Sequence, residues 1–252
     1  MKTLTGGCRV YSAEDGQFST VGNWTARIVI SKNSGAQRIT QTVSDYARGV
    51  SPALVNPMAE EVLYVASGEG KCRINGFEYA LRAGAAIFVP PGAVYNIENT
   101  GGETLRVVSS CCPEDSQRHL VDGPLPEASS QPPRLLVHED EREDIRAGQD
   151  RLFRYLVYTD LGCKQITQFA GWIPPSKAPV HFHTYEEGIF ILEGHGIVHT
   201  DDASCEFEAG CSIYFPMGVH HCVENPGTST IKLLGAFYPS GSPGEAYEQG
   251  EA

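Results

Sequence analysis

Glu61–Gly70 reads EVLYVASGEG, and 126 residues later Glu187–Gly196 reads EGIFILEGHG. In both stretches a glutamate leads a run of four or five apolar residues, and two glycines spaced by one residue close it. The same offset carries Gly84 onto Gly210, Pro90 onto Pro216, Gly92 onto Gly218 and Asn99 onto Asn225, with no gap. Upstream, QRITQT from Gln37 matches KQITQF from Lys164 at an offset one residue larger. Coincidence at this many marked positions, within one hydrophobic pattern, identifies a duplicated unit.

Each copy reads as strands. Val62–Val65 and Ile189–Leu192 are short apolar runs ended by glycine. Cys72–Ile74 and Phe77–Tyr79 flank Asn75-Gly76, the commonest two-residue hairpin signal. In the later copy Ile197–His199 and Cys205–Phe207 flank Asp201-Asp202, and Ala85–Val89 and Ser212–Phe215 form further strands before proline-containing turns. Many short strands at regular spacing predict an all-β chain of sandwiches or barrels, with a helix expected only over Glu139–Ala147. Pro113–Pro133 is rich in Pro, Ser and acidic residues and reads as a linker, and the tail from Ser240 reads as frayed. The expected division is a first domain at 1–118, a linker at 119–134 and a second domain at 135–252.

The charge balance, 19 Lys and Arg against 31 Asp and Glu, gives a net charge of −12, which argues against nucleic-acid and anionic-membrane partners. The start has no signal-peptide pattern and no stretch reaches the length of a membrane helix, so a cytoplasmic, soluble protein is expected. Eight cysteines without a Cys-x-x-Cys pair read as buried free thiols.

Only the second copy clusters histidines: His181, His183, His220 and His221, close to Glu186 and Glu187. Alternate strand residues share a face, so His181 and His183 point the same way. Glu187 joins them after a short bend, and the Pro216–Gly218 turn delivers His221. Three imidazoles and a carboxylate suit one divalent transition metal and leave positions open for substrate. The same alternation turns His220 and Glu186 outward; His195, His119 and His138 are expected in solvent, and His199 either lines the barrel or caps a hairpin. Tyr185, Tyr214, Phe190 and Trp172 are candidates for the pocket wall or the core. Thr167 and Gln168 lie on the preceding strand, and Cys222 reads as a packed thiol.

Order and spacing now match a known family. His181-Phe182-His183, three residues, Glu187, six residues and Gly194 follow the first cupin motif, with Pro175 at the place of its opening glycine. Gly210, five residues, Pro216-Met217-Gly218, two residues, His221, three residues and Asn225 meet every spacing of the second. The chain thus resembles a bicupin, which implies two tandem jelly-roll β-barrels with the metal inside the second. In the first copy the ligand positions fall near Val55 and Pro57 and on Tyr95, and only Glu61 survives, so that barrel is read as a structural partner without metal.

Three functions fit the resemblance. The first is an Fe(II)-type oxygenase on a small organic substrate, as in cupin ring-cleaving dioxygenases such as quercetin dioxygenase. The second is redox-neutral Lewis-acid chemistry with Mn, Zn or Ni: an isomerase, lyase or cyclase, or a hydrolase of the general plan of ureidoglycine aminohydrolase. The third is non-catalytic small-molecule binding. Pairing of edge strands points to a homodimer. The sequence names no catalytic residue beyond the metal ligands.

Overall fold

A computed structural model describes residues 1–113, 118–122, 125, 128, 131–147 and 150–243. Most of the expected linker core and the tail beyond 243 lie outside the described residues. The chain is almost wholly β, in four antiparallel sheets, two for each copy of the repeat. In the first barrel the central strand Glu60–Ser67 lies between Ala85–Val89 and Leu105–Cys112. In the second, Glu186–Glu193 lies between Ser212–Phe215 and Ile231–Tyr238. Asn75 and Gly76 both take positive φ, 47° and 85°, and join Glu69–Ile74 to Phe77–Arg82 in the expected hairpin.

The repeated glycines are demanded by crowding. A Cβ on Gly70 would lie 2.1 Å from the Glu98 carbonyl oxygen, and one on Gly196 2.6 Å from that of Glu224. The repeated asparagines are structural pins. Asn99 donates to the Tyr46 and Glu103 carbonyls and accepts from Gly101 N. Asn225 does the same with Ile173, Ser229 and Gly227.

Three expectations are corrected. Glu139–Ala147 is not a helix: a single 3-10 turn, Glu139–Glu141, leads to the strand Ile145–Ala147. The chain division at 118 and 135 does not describe the sheets. Arg9–Tyr11 pairs with Ser212–Phe215 of the second barrel, and Leu136–His138 pairs with Ala85–Val89 of the first. The segment 119–134 is not simply a connector, since His119–Val121 pairs with Ala53–Val55. Each copy thus lends a strand to the other, because the edge of each central sheet would otherwise present unpaired backbone groups.

The barrels also clasp each other through two glutamates 126 residues apart. Glu60 accepts the backbone N–H groups of Lys164 and Gln165 at 3.0 and 2.7 Å. Glu186 accepts those of Gln37, Arg38 and Ile39 at 2.9, 3.0 and 2.9 Å. Glu186 is therefore buried, not outward: the side of the strand facing away from its own barrel is covered by the other barrel.

All eight cysteines are free thiols and seven are buried; burial pushes Cys8, Cys111 and Cys112 up to about 12, which keeps them protonated and inert. No helix among the described residues is long and apolar enough to cross a membrane.

Candidate metal centre

His181 and His221 face each other across an antiparallel bridge, with His181 N donating to His221 O at 3.0 Å and His221 N to His181 O at 2.9 Å. This puts two imidazoles on one face at a fixed spacing. His183, two residues on, shares that face, and Glu187 enters from the start of the central strand. Ligand atoms of His181, His183 and His221 all lie within 4.8 Å of one another. Glu187 Oε2 stands at the edge of the cluster, 3.2 Å from His183 Nδ1. His183, Glu187 and His221 are buried, and His181 is half-buried at the rim.

Backbone carbonyls fix two of the rings. His181 Nδ1 lies 3.0 Å from Pro179 O, and His221 Nδ1 lies 2.8 Å from Val219 O. A carbonyl only accepts, so both rings carry the proton on Nδ1 and present the Nε2 lone pair, as metal-ligating histidines usually do. Burial, followed by the neighbouring imidazoles, holds His221 well below the usual histidine range; burial likewise lowers His181. Both are thus neutral, the form that ligates. His183 Nδ1 is buried, and its contact with Glu187 Oε2 at 3.2 Å lacks hydrogen-bond geometry. Three imidazoles gathered beside a carboxylate are a donor set that fits a divalent transition metal.

Aromatic rings brace the cluster. Phe215 stacks on His221 at 3.9 Å between centroids, and Tyr185 stacks on His183 at 4.4 Å and on Phe237 at 4.2 Å. Above the histidines is a narrow cavity of about 70 Å³ walled mainly by Phe153, Phe169, Trp172, Ile189 and Leu233. Among the described residues, Arg151 is the one Lys or Arg side chain in that wall. It is buried, with Nη1 donating to Asp150 Oδ1 and Ser176 Oγ at 2.8 and 2.7 Å, and Nη2 to Val223 O at 3.1 Å.

The other expected residues sort as follows. Tyr185 and Trp172 line the cavity, but Phe190 and Tyr214 do not. They point into the core shared with the first barrel, because Glu187 and Ile189 take the interior face of their strand. Thr167 bonds Ser240 and Gly241, and Gln168 is fully buried away from the cavity. His199 pairs with Glu224 at 2.7 Å, His220 and His195 are exposed as expected, and Cys222 is a buried thiol. His119 is exposed, whereas His138 is half-buried in its borrowed strand position.

In the first barrel, Glu61 is wholly buried and accepts from Tyr95 Oη at 3.1 Å while pairing with the Arg118 guanidinium. Arg118 also reaches Ser109 and Cys111. A cation thus neutralises the surviving carboxylate where the second barrel gathers histidines. Sequence reasoning missed Arg118, which sits in a stretch of linker composition, and Arg151. The repeat alignment itself could have flagged Arg151, which falls opposite Trp24.

These features define a two-barrel β protein with one histidine-rich interior site. The chain belongs to the cupin family: the cupin-domain family model matches residues 45–111 and 172–237, more than half of the chain. A variant of Bacillus subtilis oxalate decarboxylase OxdC superposes with a TM-score of 0.76 at 16% identity, covering 94% of this chain and 78% of that one. Escherichia coli Ylba superposes with a TM-score of 0.74 at 16% identity, covering 94% and 93%. These likenesses support the bicupin fold.

In sequence, an uncharacterized Methanocaldococcus jannaschii protein is 40% identical over 65 residues, 25% of this chain and 52% of that protein. The tetracenomycin polyketide synthase protein TcmJ of Streptomyces glaucescens is 32% identical over 83 residues, 32% and 56% respectively. The matches thus span about half the length of these curated relatives.

Proposed function

We propose that the second barrel binds one divalent transition metal, iron by preference, through His181, His183, Glu187 and His221, and that the protein is an oxygenase of a small, largely apolar organic molecule. The observation that carries this reading is a ready ligand set at the floor of a cavity whose wall is otherwise aromatic and aliphatic. When bound, the metal supplies a Lewis-acidic centre with open positions and, as iron, the redox chemistry of O₂. The chain's own residues do the rest. The Pro179 and Val219 carbonyls and the Phe215 and Tyr185 rings hold the imidazoles in place. Phe153, Phe169, Ile189 and Leu233 exclude water and select a small flat substrate. Arg151 holds an oxyanion of that substrate, an enolate or a carboxylate. The sequence relative named as a polyketide synthase protein adds polyketide-type enols to the classes worth testing.

Arg151 also favours one second reading, redox-neutral Lewis-acid catalysis on such an oxyanion with Mn, Zn or Ni. The two separate in an oxygen-electrode assay of iron-loaded protein with small enols, catechols and keto acids. Oxygen uptake in step with substrate loss is expected. Turnover at an unchanged rate under argon would reject the oxygenase and leave the Lewis-acid reading.

Arg151→Met is expected to raise KM for an oxyanion-bearing substrate about 10- to 100-fold, the weight of a charged hydrogen bond, while a neutral ester analogue is little affected. Equal loss for both would deny Arg151 that contact. A homodimer in solution remains part of this proposal, and a strictly monomeric mass by light scattering would remove it.

A further inference from the structure

The first barrel has lost the ligands but kept a hollow. Its interior face is read from register: Ala26 lies opposite Ser19 and Ser44, and Ile28 opposite Gln17 and Thr42. The repeat places Ala26, Thr42, Ser109 and Cys111 where the second barrel has Phe153, Phe169, Gly235 and Phe237. Three phenylalanines are thus replaced by small or hydroxylated residues. The space they vacate is a cavity of about 810 Å³ including its open mouth, lined by Gln17, Ser19, Trp24, Thr42, Cys111 and Arg118 among others. The metal-site cavity is about 70 Å³.

Two features of the lining point to a ligand. Thr42, on the strand Thr40–Tyr46, is 3% exposed and borders the cavity, with the Trp24 ring in the same wall. Arg118 is anchored to Glu61 at its far side, so its charge is compensated, and it lines the cavity as a hydrogen-bond donor. Among the described residues the metal-capable histidine group is in the other barrel.

We propose that this cavity is a second, metal-free binding site for a small oxygen-rich organic molecule, a hydroxy acid or polyol, whose oxygens accept from the Arg118 guanidinium and bond the Thr42 hydroxyl, with the Trp24 ring as part of the wall. The site is independent of the chemistry proposed for the second barrel.

The chain has two tryptophans, so Trp172→Phe leaves Trp24 as the sole tryptophan, excited selectively at the red edge where tyrosine does not absorb. Glycerate and erythritol are titrated separately into that variant while its emission is followed. A saturable shift with a Kd of roughly millimolar or tighter is expected with at least one of them. Glycerate alone would identify the ligand as a hydroxy acid, and erythritol alone as a polyol. Thr42→Val is expected to weaken the response about 3- to 10-fold, one neutral hydrogen bond. The response should survive His221→Ala. Should Trp172→Phe fold poorly, saturation-transfer NMR on the unaltered chain reads the same binding, weakened in Thr42→Val. No saturable signal with either probe, or loss of the signal in His221→Ala, overturns the proposal.

Discussion

Replacing His221 by alanine is expected to strip the second barrel of metal while leaving the barrel folded. His221 is held by its backbone as much as by its ring: its N–H and C=O both pair with His181, and alanine keeps both bonds. What disappears is the Nε2 donor opposite His181 and the ring on which Phe215 stacks. Loss of residues that merely orient metal ligands typically costs about 10- to 100-fold in affinity, so loss of a ligand should cost at least about 100-fold. Elemental analysis after dialysis should find almost no metal in His221→Ala, with circular dichroism unchanged and activity lost. Full metal content in this variant would remove His221 from the ligand set. The matched control is Glu61→Gln in the first barrel, which should leave metal content unaltered, because Glu61 is engaged by Arg118 and Tyr95.

The second large effect falls on stability. Glu186→Ala removes the acceptor of three backbone N–H groups of the other barrel, those of Gln37, Arg38 and Ile39. Each donor left without a partner costs about 1–3 kcal/mol, and the three together about 5 kcal/mol if water reaches none of them fully. For a chain of this size that lowers Tm by roughly 10–20 °C. Glu186→Gln should fall between, since one amide oxygen still accepts while its NH₂ faces donors. The measurement is calorimetry of metal-loaded protein. A Tm within a few degrees of the unaltered protein would mean that the 37–39 loop finds other acceptors and that the clasp is not what joins the barrels.

The same glutamate explains where sequence reading stopped. The repeat, the all-β class, the Asn75-Gly76 hairpin and the spacing of the histidines were legible because each is a local demand. Gly70 and Gly196 are fixed by a carbonyl that leaves no room for Cβ, and Asn99 and Asn225 by three hydrogen bonds each. What faces the second barrel's back was not legible. Alternation correctly put Glu186 opposite Glu187, but "outward" from one barrel is inward to the pair, and a strand buried on both faces carries no periodic sign of which face is which. For that reason Phe190 and Tyr214 could not be divided between pocket wall and core from the sequence, and the structure places both in the core. The borrowed strands Arg9–Tyr11 and Leu136–His138 escape detection because pairing across 200 residues or across a linker leaves no local pattern. Arg118 was hidden by composition: a cation in a Pro- and Ser-rich stretch looks solvated until the fold carries it to Glu61.

The most direct test is the metal stoichiometry of the purified protein, loaded anaerobically with Fe(II), dialysed and analysed for metal per chain, together with its His221→Ala and Glu61→Gln variants. The account predicts close to one equivalent in the unaltered protein and in Glu61→Gln, and close to none in His221→Ala. No retained metal in the unaltered protein, or a second equivalent that Glu61→Gln removes, would contradict it.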